Sequence, residues 1–314
     1  MGSRGFEPLI RTSSGFLLSP ATKLNTARTL DIETRLREFA RFLSVKKLLT
    51  DSVVIRHCNT IRGFLYEYDG IVSPNTIEAY LSEIKNTRVL KTYANHLCSM
   101  KRFVRDYLGL DWMDDYEFPD IPEKPLIVPS KKDIQRFFYA LPICRRDENN
   151  VWGREEIEPK FQATYLMLAT SGLRLDEVLS LTLNNVYPRE RMVIPYGVHV
   201  QDSTKKAWIT FYNIETEQRL TWLDEVRKGD RIFVGRNVLY RAFNKARETT
   251  GLDITPQKLR DWFCEEMGNL GVSDRYIDAF CGRVPKSVLA KHYTDYSPKK
   301  LKAIYDKADL RVLE

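Results

Sequence analysis

The sequence predicts a mainly α-helical protein with a small β-sheet (α+β), organised as two domains joined by a proline-rich linker. Three observations predict it. Apolar residues recur at three- and four-residue steps along most of the chain, one twelve-residue stretch holds four prolines, and only two short runs have the composition of strands. A length of 314 residues fits two domains of about 100–200 residues each.

Residues 1–27 carry neither a helical nor an alternating period and are rich in small polar residues, so a flexible N-terminal arm is expected. Helical spacing begins near residue 28, with Ile32, Leu36, Phe39 and Leu43 as the buried stripe. A second helix, about 52–67, buries Val54, Ile61 and Leu65. The third opens at Ser73-Pro74, a cap followed by the proline that suits a first turn, and buries Ile77, Leu81 and Ile84. The fourth, about 90–108, stacks Tyr93, Leu97, Met100 and Val104 and exposes Lys91, Lys101, Arg102 and Arg105. These helices make one domain, 28–117.

The linker is 118–129, because its prolines lack the N–H that a helix requires. The second domain, 130–314, starts at Ser130, with Asp133 placed to complete a capping box. Helices are expected at 131–141, 160–170, 175–181, 215–226, 237–249, 256–269, 273–280, 285–292 and 298–309. The runs 191–196 and 207–212 form a β-hairpin between them.

Lys plus Arg total 49 against 42 Asp plus Glu, a net charge of +7, which points to a polyanionic partner such as nucleic acid. No apolar run approaches the roughly 18–20 residues that span a bilayer, and no secretory leader is evident. The five cysteines lack CxxC spacing, so a reduced, cytoplasmic location is expected. The four histidines and these cysteines are too scattered for a zinc site, and no glycine-rich phosphate loop is present.

Four segments carry chemistry. In Thr170-Ser171-Gly172-Leu173-Arg174-Leu175-Asp176-Glu177, an apolar helix stops at glycine and restarts at an arginine suited to a phosphate. Glu177 lies on the same face and is placed to orient that arginine. Lys205 and Lys206 sit on the hairpin, where a lysine can protonate a leaving oxygen. Thr255-Pro256-Gln257-Lys258-Leu259-Arg260 brings a second arginine into the first turns of a helix. Cys281-Gly282-Arg283 is followed ten residues later by Tyr293, in His292-Tyr293. A tyrosine is a weak nucleophile at its ordinary pKa of about 10, and cationic neighbours favour the phenolate.

In this order, the segments resemble the catalytic domain of the tyrosine recombinases, the phage-type integrases. Thr170–Leu181 is similar to that family's first box nearly residue for residue, and the helical first domain resembles its core-binding domain. The resemblance implies that Arg174 and Arg260 clamp the scissile phosphate, that Lys205 or its rival Lys206 is the general acid, and that Tyr293 is the nucleophile. Arg283 takes a place that is usually His or Trp. Gln257 stands where the family usually has His, with Lys258 beside it but about 100° around the helix. The step from Arg283 to Tyr293 is one residue longer than usual. Both departures resemble the archaeal viral and plasmid branch.

The resemblance further implies DNA cleavage through a 3′-phosphotyrosyl bond with no metal or cofactor. It implies a tetramer on two duplex attachment sites, with the last helix as the exchanged contact, packed in cis or on a neighbour, and with Lys91, Lys101, Arg102 and Arg105 on DNA. A type IB-like topoisomerase and a catalytically dead DNA-binding regulator are the rival readings. In the arm, Arg4-Gly5-Phe6-Glu7-Pro8 fits a gene start that overlaps a tRNA-gene attachment site, since Phe-Glu can be encoded TTC-GAA.

Overall fold

A computed structural model describes residues 20–141, 154–195, 209–226, 232–283 and 293–314. They fall into two compact units, one ending at Lys124 and one beginning at Pro125.

The first unit is helical: α1 (Pro20–Val45), α2 (Asp51–Glu67), α3 (Pro74–Thr87) and α4 (Leu90–Lys101). Helix α1 begins at Pro20, eight residues before the apolar stripe. Residues 20–27 are therefore helical rather than part of a flexible arm, and with no stripe of their own they leave no amphipathic signal. Ile32, Leu36, Phe39 and Leu43 are buried as their spacing predicts, and Phe39 meets Phe103 edge-on at 5.1 Å between ring centres. Ser73 caps α3 through Thr76, which closes the capping box. Helix α4 does not run on as an α-helix to 108. It passes at Arg102 into a π-helical stretch, Arg102–Tyr107, that buries both Phe103 and Val104.

His57 on α2 is buried against α4. Ser99 donates its own proton to Asn95 O (3.1 Å), which leaves its Oγ to accept from His57 Nδ1–H (2.8 Å). Burial, helped by the charges of Arg102 and Arg56, lowers the His57 pKa to about 4. Above pH of about 6.5 the ring is neutral both folded and unfolded. As pH falls below that value only the unfolded chain takes up the proton, until the folded ring titrates near 4. We expect this unit to lose about 3 kcal/mol between pH 7 and 4 from this group. His57→Gln is expected to flatten that loss in urea titrations at the two pH values.

The second unit is built around α6 (Arg154–Ser171), whose residues from Ala163 to Ser171 are buried all round, as expected of a helix at the centre of a core. Packed around it are α5 (Lys131–Tyr139), α8 (Ile214–Val226), α9 (Arg236–Thr250) and α10 (Pro256–Asn269). The short α7 (Leu175–Leu179), α11 (Asp274–Phe280) and the last helix, α12 (Pro298–Ala308), complete it. Ser130 and Asp133 form the expected capping box at α5.

The sheet has three antiparallel strands rather than a single hairpin. They are β1 (Val186–Tyr187), β2 (Met192–Val193) and β3 (Thr210–Phe211), in that order, with Val186 opposite Val193 and Met192 opposite Phe211. Strand β1 has only two residues before Pro188 ends it, too few to show a period in sequence. The helix expected at 285–292 lies outside the described residues.

Helix α12 packs on its own unit. Leu301, Tyr305 and Ala308 are buried, and the Tyr305 ring lies 5.7 Å from those of Phe211 and Phe280. Beyond it, buried Glu215 accepts the backbone N–H groups of Val312 (2.8 Å) and Leu313 (2.7 Å), which fastens the segment after α12 to α8. Among the described residues, no helix is long and apolar enough to cross a membrane.

Candidate active site

The site forms around the turn between α6 and α7. Gly172 has φ +67°, and a Cβ there would come within 2.6 Å of the Phe263 ring. The turn therefore demands glycine twice, once for its left-handed backbone and once for the approach of α10. Three successive carbonyls at the end of α6 are taken by distant side chains. Tyr305 donates to Thr170 O (2.6 Å), Thr210 to Ser171 O (2.6 Å), and Arg260 Nη1 to Gly172 O. Gly172→Ala is expected to cost about 3 kcal/mol, roughly 1 from the left-handed backbone and the rest from overpacking against buried Phe263. Thermal denaturation is expected to register a lower midpoint.

Arg174 follows as the N-cap of α7 and lies directly over Glu177. The carboxylate accepts the Arg174 backbone N–H (2.7 Å) and Arg174 Nη1 (2.8 Å). Glu177 is only 2% exposed, and its second neighbour is Arg260, whose Nη1 lies 3.8 Å from Oε2. Arg260 is itself 3% exposed and gives Nη2 to Cys281 O at 2.7 Å. Burial lowers its proton affinity, with repulsion from Arg174 and Arg283 opposing the pull of Glu177. A guanidinium keeps its charge regardless, so this side chain is a fixed cation held by backbone carbonyls and one shared carboxylate.

Arg283 follows α11, more exposed, with Nη1 on Asp278 (3.1 Å) and Nη2 3.8 Å from Cys264 Sγ. Gln257 Nε2 donates to Asp261 (2.8 Å), while Lys258 turns away to Asp253 at 3.0 Å. Lys258 thus supplies no cation in the place of the missing histidine. Tyr293 is 77% exposed on the segment leading into α12, and no hydrogen bond engages its hydroxyl among the described residues. The Tyr296 hydroxyl, by contrast, is buried without a partner among those residues, with its ring against Tyr276. Lys205 and Lys206 lie outside the described residues.

The structure therefore brings Arg174, Glu177 and Arg260 together and sets Arg283 beside them. Asp278 was not legible, because its partner is identified only when α11 ends in the turn before Arg283. The same holds for Asp176, one residue before Glu177, which pairs with Arg236 at the start of α9. A carboxylate five residues before an arginine carries no periodic signal.

In the first unit the expected basic face is corrected. Lys91 is exposed, but Lys101 is only 9% exposed, because it lies four residues after buried Leu97 and three before buried Val104, on the inward face. Its ammonium emerges 5.7 Å from the centre of the Phe118 ring. Arg102 is half-buried, and Arg105 is paired with Asp106 (2.9 Å) and Asp114 (3.1 Å). Among the described residues, no cluster of three His, Cys, Asp or Glu side chains is placed to hold a metal ion.

Residues 150–307, half of the chain, match the archaeal phage integrase family. The chain belongs to that family. The chain is also similar to tyrosine recombinases. XerC of Histophilus somni is 28% identical over 172 residues, covering 50% of this chain and 56% of XerC, so the match spans little more than half of that relative. XerA of Thermococcus kodakarensis is 23% identical over 272 residues, 80% of this chain and 90% of XerA. The fold is also that of solved integrases. Lambda integrase (residues 75–356) bound to DNA aligns with a TM-score of 0.60 at 12% identity, over 82% of this chain and 92% of that one. The Tn1549 transposon integrase in complex with circular intermediate DNA gives 0.58 at 15%, over 86% and 94%.

Proposed function

We propose that this protein is a site-specific DNA strand transferase that integrates a mobile element at a tRNA gene. The observation that carries the reading is the convergence of Arg174 and Arg260, 86 residues apart in sequence, on one buried carboxylate, with Arg283 adjoining. Such a fixed group of guanidiniums suits the charge that builds on a phosphate under attack.

In this reading the Tyr293 phenolic oxygen bonds to the scissile phosphorus and gives up its proton. The bond to the 5′ oxygen breaks, and Lys205, or Lys206 in its place, protonates the departing oxygen. The 3′-phosphotyrosyl bond keeps the energy of the phosphodiester. A 5′ hydroxyl from a partner duplex then attacks it and reseals the strand, so no nucleotide is consumed. Gln257, tied to Asp261, positions rather than protonates, and Asp278 holds Arg283 toward the site.

The proposed partner is duplex DNA, which the DNA-bound solved integrases of the same fold support, and the assembly proposed on it is four copies holding two attachment sites. Helix α12, docked on its own unit here, is the element proposed to be exchanged between copies. Lys91 and the basic residues around it hold backbone phosphates, so binding falls steeply with added salt.

The test is a nicked suicide duplex carrying the attachment site, followed by mass spectrometric mapping of the DNA-linked peptide. The reading expects the adduct on Tyr293. Absence of any adduct supports the dead-regulator alternative, and an adduct on Tyr296 overturns the assignment of the nucleophile. Joining of two site-bearing duplexes separates recombination from topoisomerase-like relaxation. The tRNA proposal rests on Arg4-Gly5-Phe6-Glu7-Pro8, outside the described residues. It is lost if codons 1–20 show no similarity to the 3′ half of a tRNA gene.

A further inference from the structure

We propose that Cys264 and Cys281 form an oxidisable dithiol site, a reversible disulfide that staples α10 to the end of α11 directly behind the arginines. The two sulfurs are 3.5 Å apart, already in contact, on residues 17 apart in sequence. They differ in access: Cys264 is half-buried, one helical turn beyond Arg260, whereas Cys281 is fully buried at the C-cap of α11. They also differ in chemistry. The hydrogen bond from Cys281 lowers the Cys264 pKa to about 7 against the opposing effect of burial, and Arg283 and Arg260 add to the lowering. Cys281, giving that hydrogen bond and enclosed in the core, is pushed well up. An accessible thiolate beside a protected thiol is the division of labour that an attacking and a resolving cysteine require.

The oxidant is hydrogen peroxide. The Cys264 thiolate attacks one peroxide oxygen; the S–O bond forms, the O–O bond breaks, and the hydroxide released takes up a proton to become water. The Cys281 sulfur then attacks the sulfenic sulfur. The S–S bond forms as the S–O bond breaks, and the Cys281 proton leaves with the hydroxyl as a second water. Two thiols and one hydrogen peroxide thus become one disulfide and two waters. Closing from contact to a bond of about 2.05 Å requires the sulfurs to approach by about 1.5 Å. The link fixes the residue whose carbonyl accepts Arg260 Nη2, and it removes a thiolate from beside Arg283.

This inference rests on the two sulfurs and not on the catalytic reading, so either can fail without the other. The experiment treats the reduced full-length protein with a few equivalents of hydrogen peroxide, alkylates free thiols and maps peptides by mass. The expected result is a Cys264–Cys281 linked peptide, 2 Da lighter than the two thiol peptides together and released by dithiothreitol. The melting midpoint should rise by roughly 5–10 °C, because the closed loop restricts the unfolded chain. Cys264→Ala is expected to abolish both the link and the shift while leaving the reduced midpoint unchanged within about 2 °C. The proposal is overturned if Cys264 proceeds to sulfinic acid with Cys281 still free to be alkylated. It is also overturned if the link forms instead to Cys58, Cys98 or Cys144.

Discussion

Tyr293→Phe is expected to yield no covalent adduct on the nicked duplex, at least about 1,000-fold below the unsubstituted chain. The ring is retained and only the attacking oxygen is lost. Because the side chain is 77% exposed, that oxygen supports nothing in the described structure. The melting midpoint and the affinity for the same duplex should therefore be unchanged, a combination that misfolding cannot produce. Tyr296→Phe is the matching control: its hydroxyl is buried without a described partner, so adduct formation should persist and stability should not fall. Reversal of the two results would move the nucleophile three residues along the chain.

Glu177→Ala is expected to be the most damaging substitution for stability, at about 3–5 kcal/mol, because it leaves a buried guanidinium without its counter-charge. Glu177 accepts from the Arg174 backbone and side chain and faces Arg260, which is itself 3% exposed. Removing the carboxylate leaves Arg260 beside Arg174 and Arg283 with only its backbone carbonyls to hold it, and it frees Arg174 from its fixed orientation. Thermal denaturation of this unit should fall by roughly 10 °C, and any adduct formation measured at low temperature should fall with it. Glu177→Gln keeps the acceptor for the backbone N–H but not the charge, so an intermediate loss is expected. Equal losses for the two variants would mean that charge is not what Glu177 contributes.

How much of this was legible follows from the range of each interaction. The stripe Ile32-Leu36-Phe39-Leu43, the Ser73 and Ser130 caps and the Thr255-Pro256 helix start are local, and the structure shows each of them. The pairing of Arg174 with Glu177 was local as well, three residues on one helical turn. Lys101 was misplaced because its charge outweighed its position between Leu97 and Val104 in the reading, whereas a lysine stem buries readily while its ammonium reaches a ring. Strand β1 and the π-helical stretch at Arg102 depend on packing partners rather than on composition. The Cys264–Cys281 contact and the Arg260 hydrogen bonds join residues that only the folded chain brings together.

The three carbonyls closing α6 bear on the order in which the protein is made. Thr210, Arg260 and Tyr305 reach the turn from segments synthesised well after it. A nascent chain that has emerged only as far as α10 still lacks the phenol that ties Thr170. The turn that carries Arg174 is therefore fully tied only late in synthesis, once Tyr305 has followed Thr210 and Arg260 out of the ribosome.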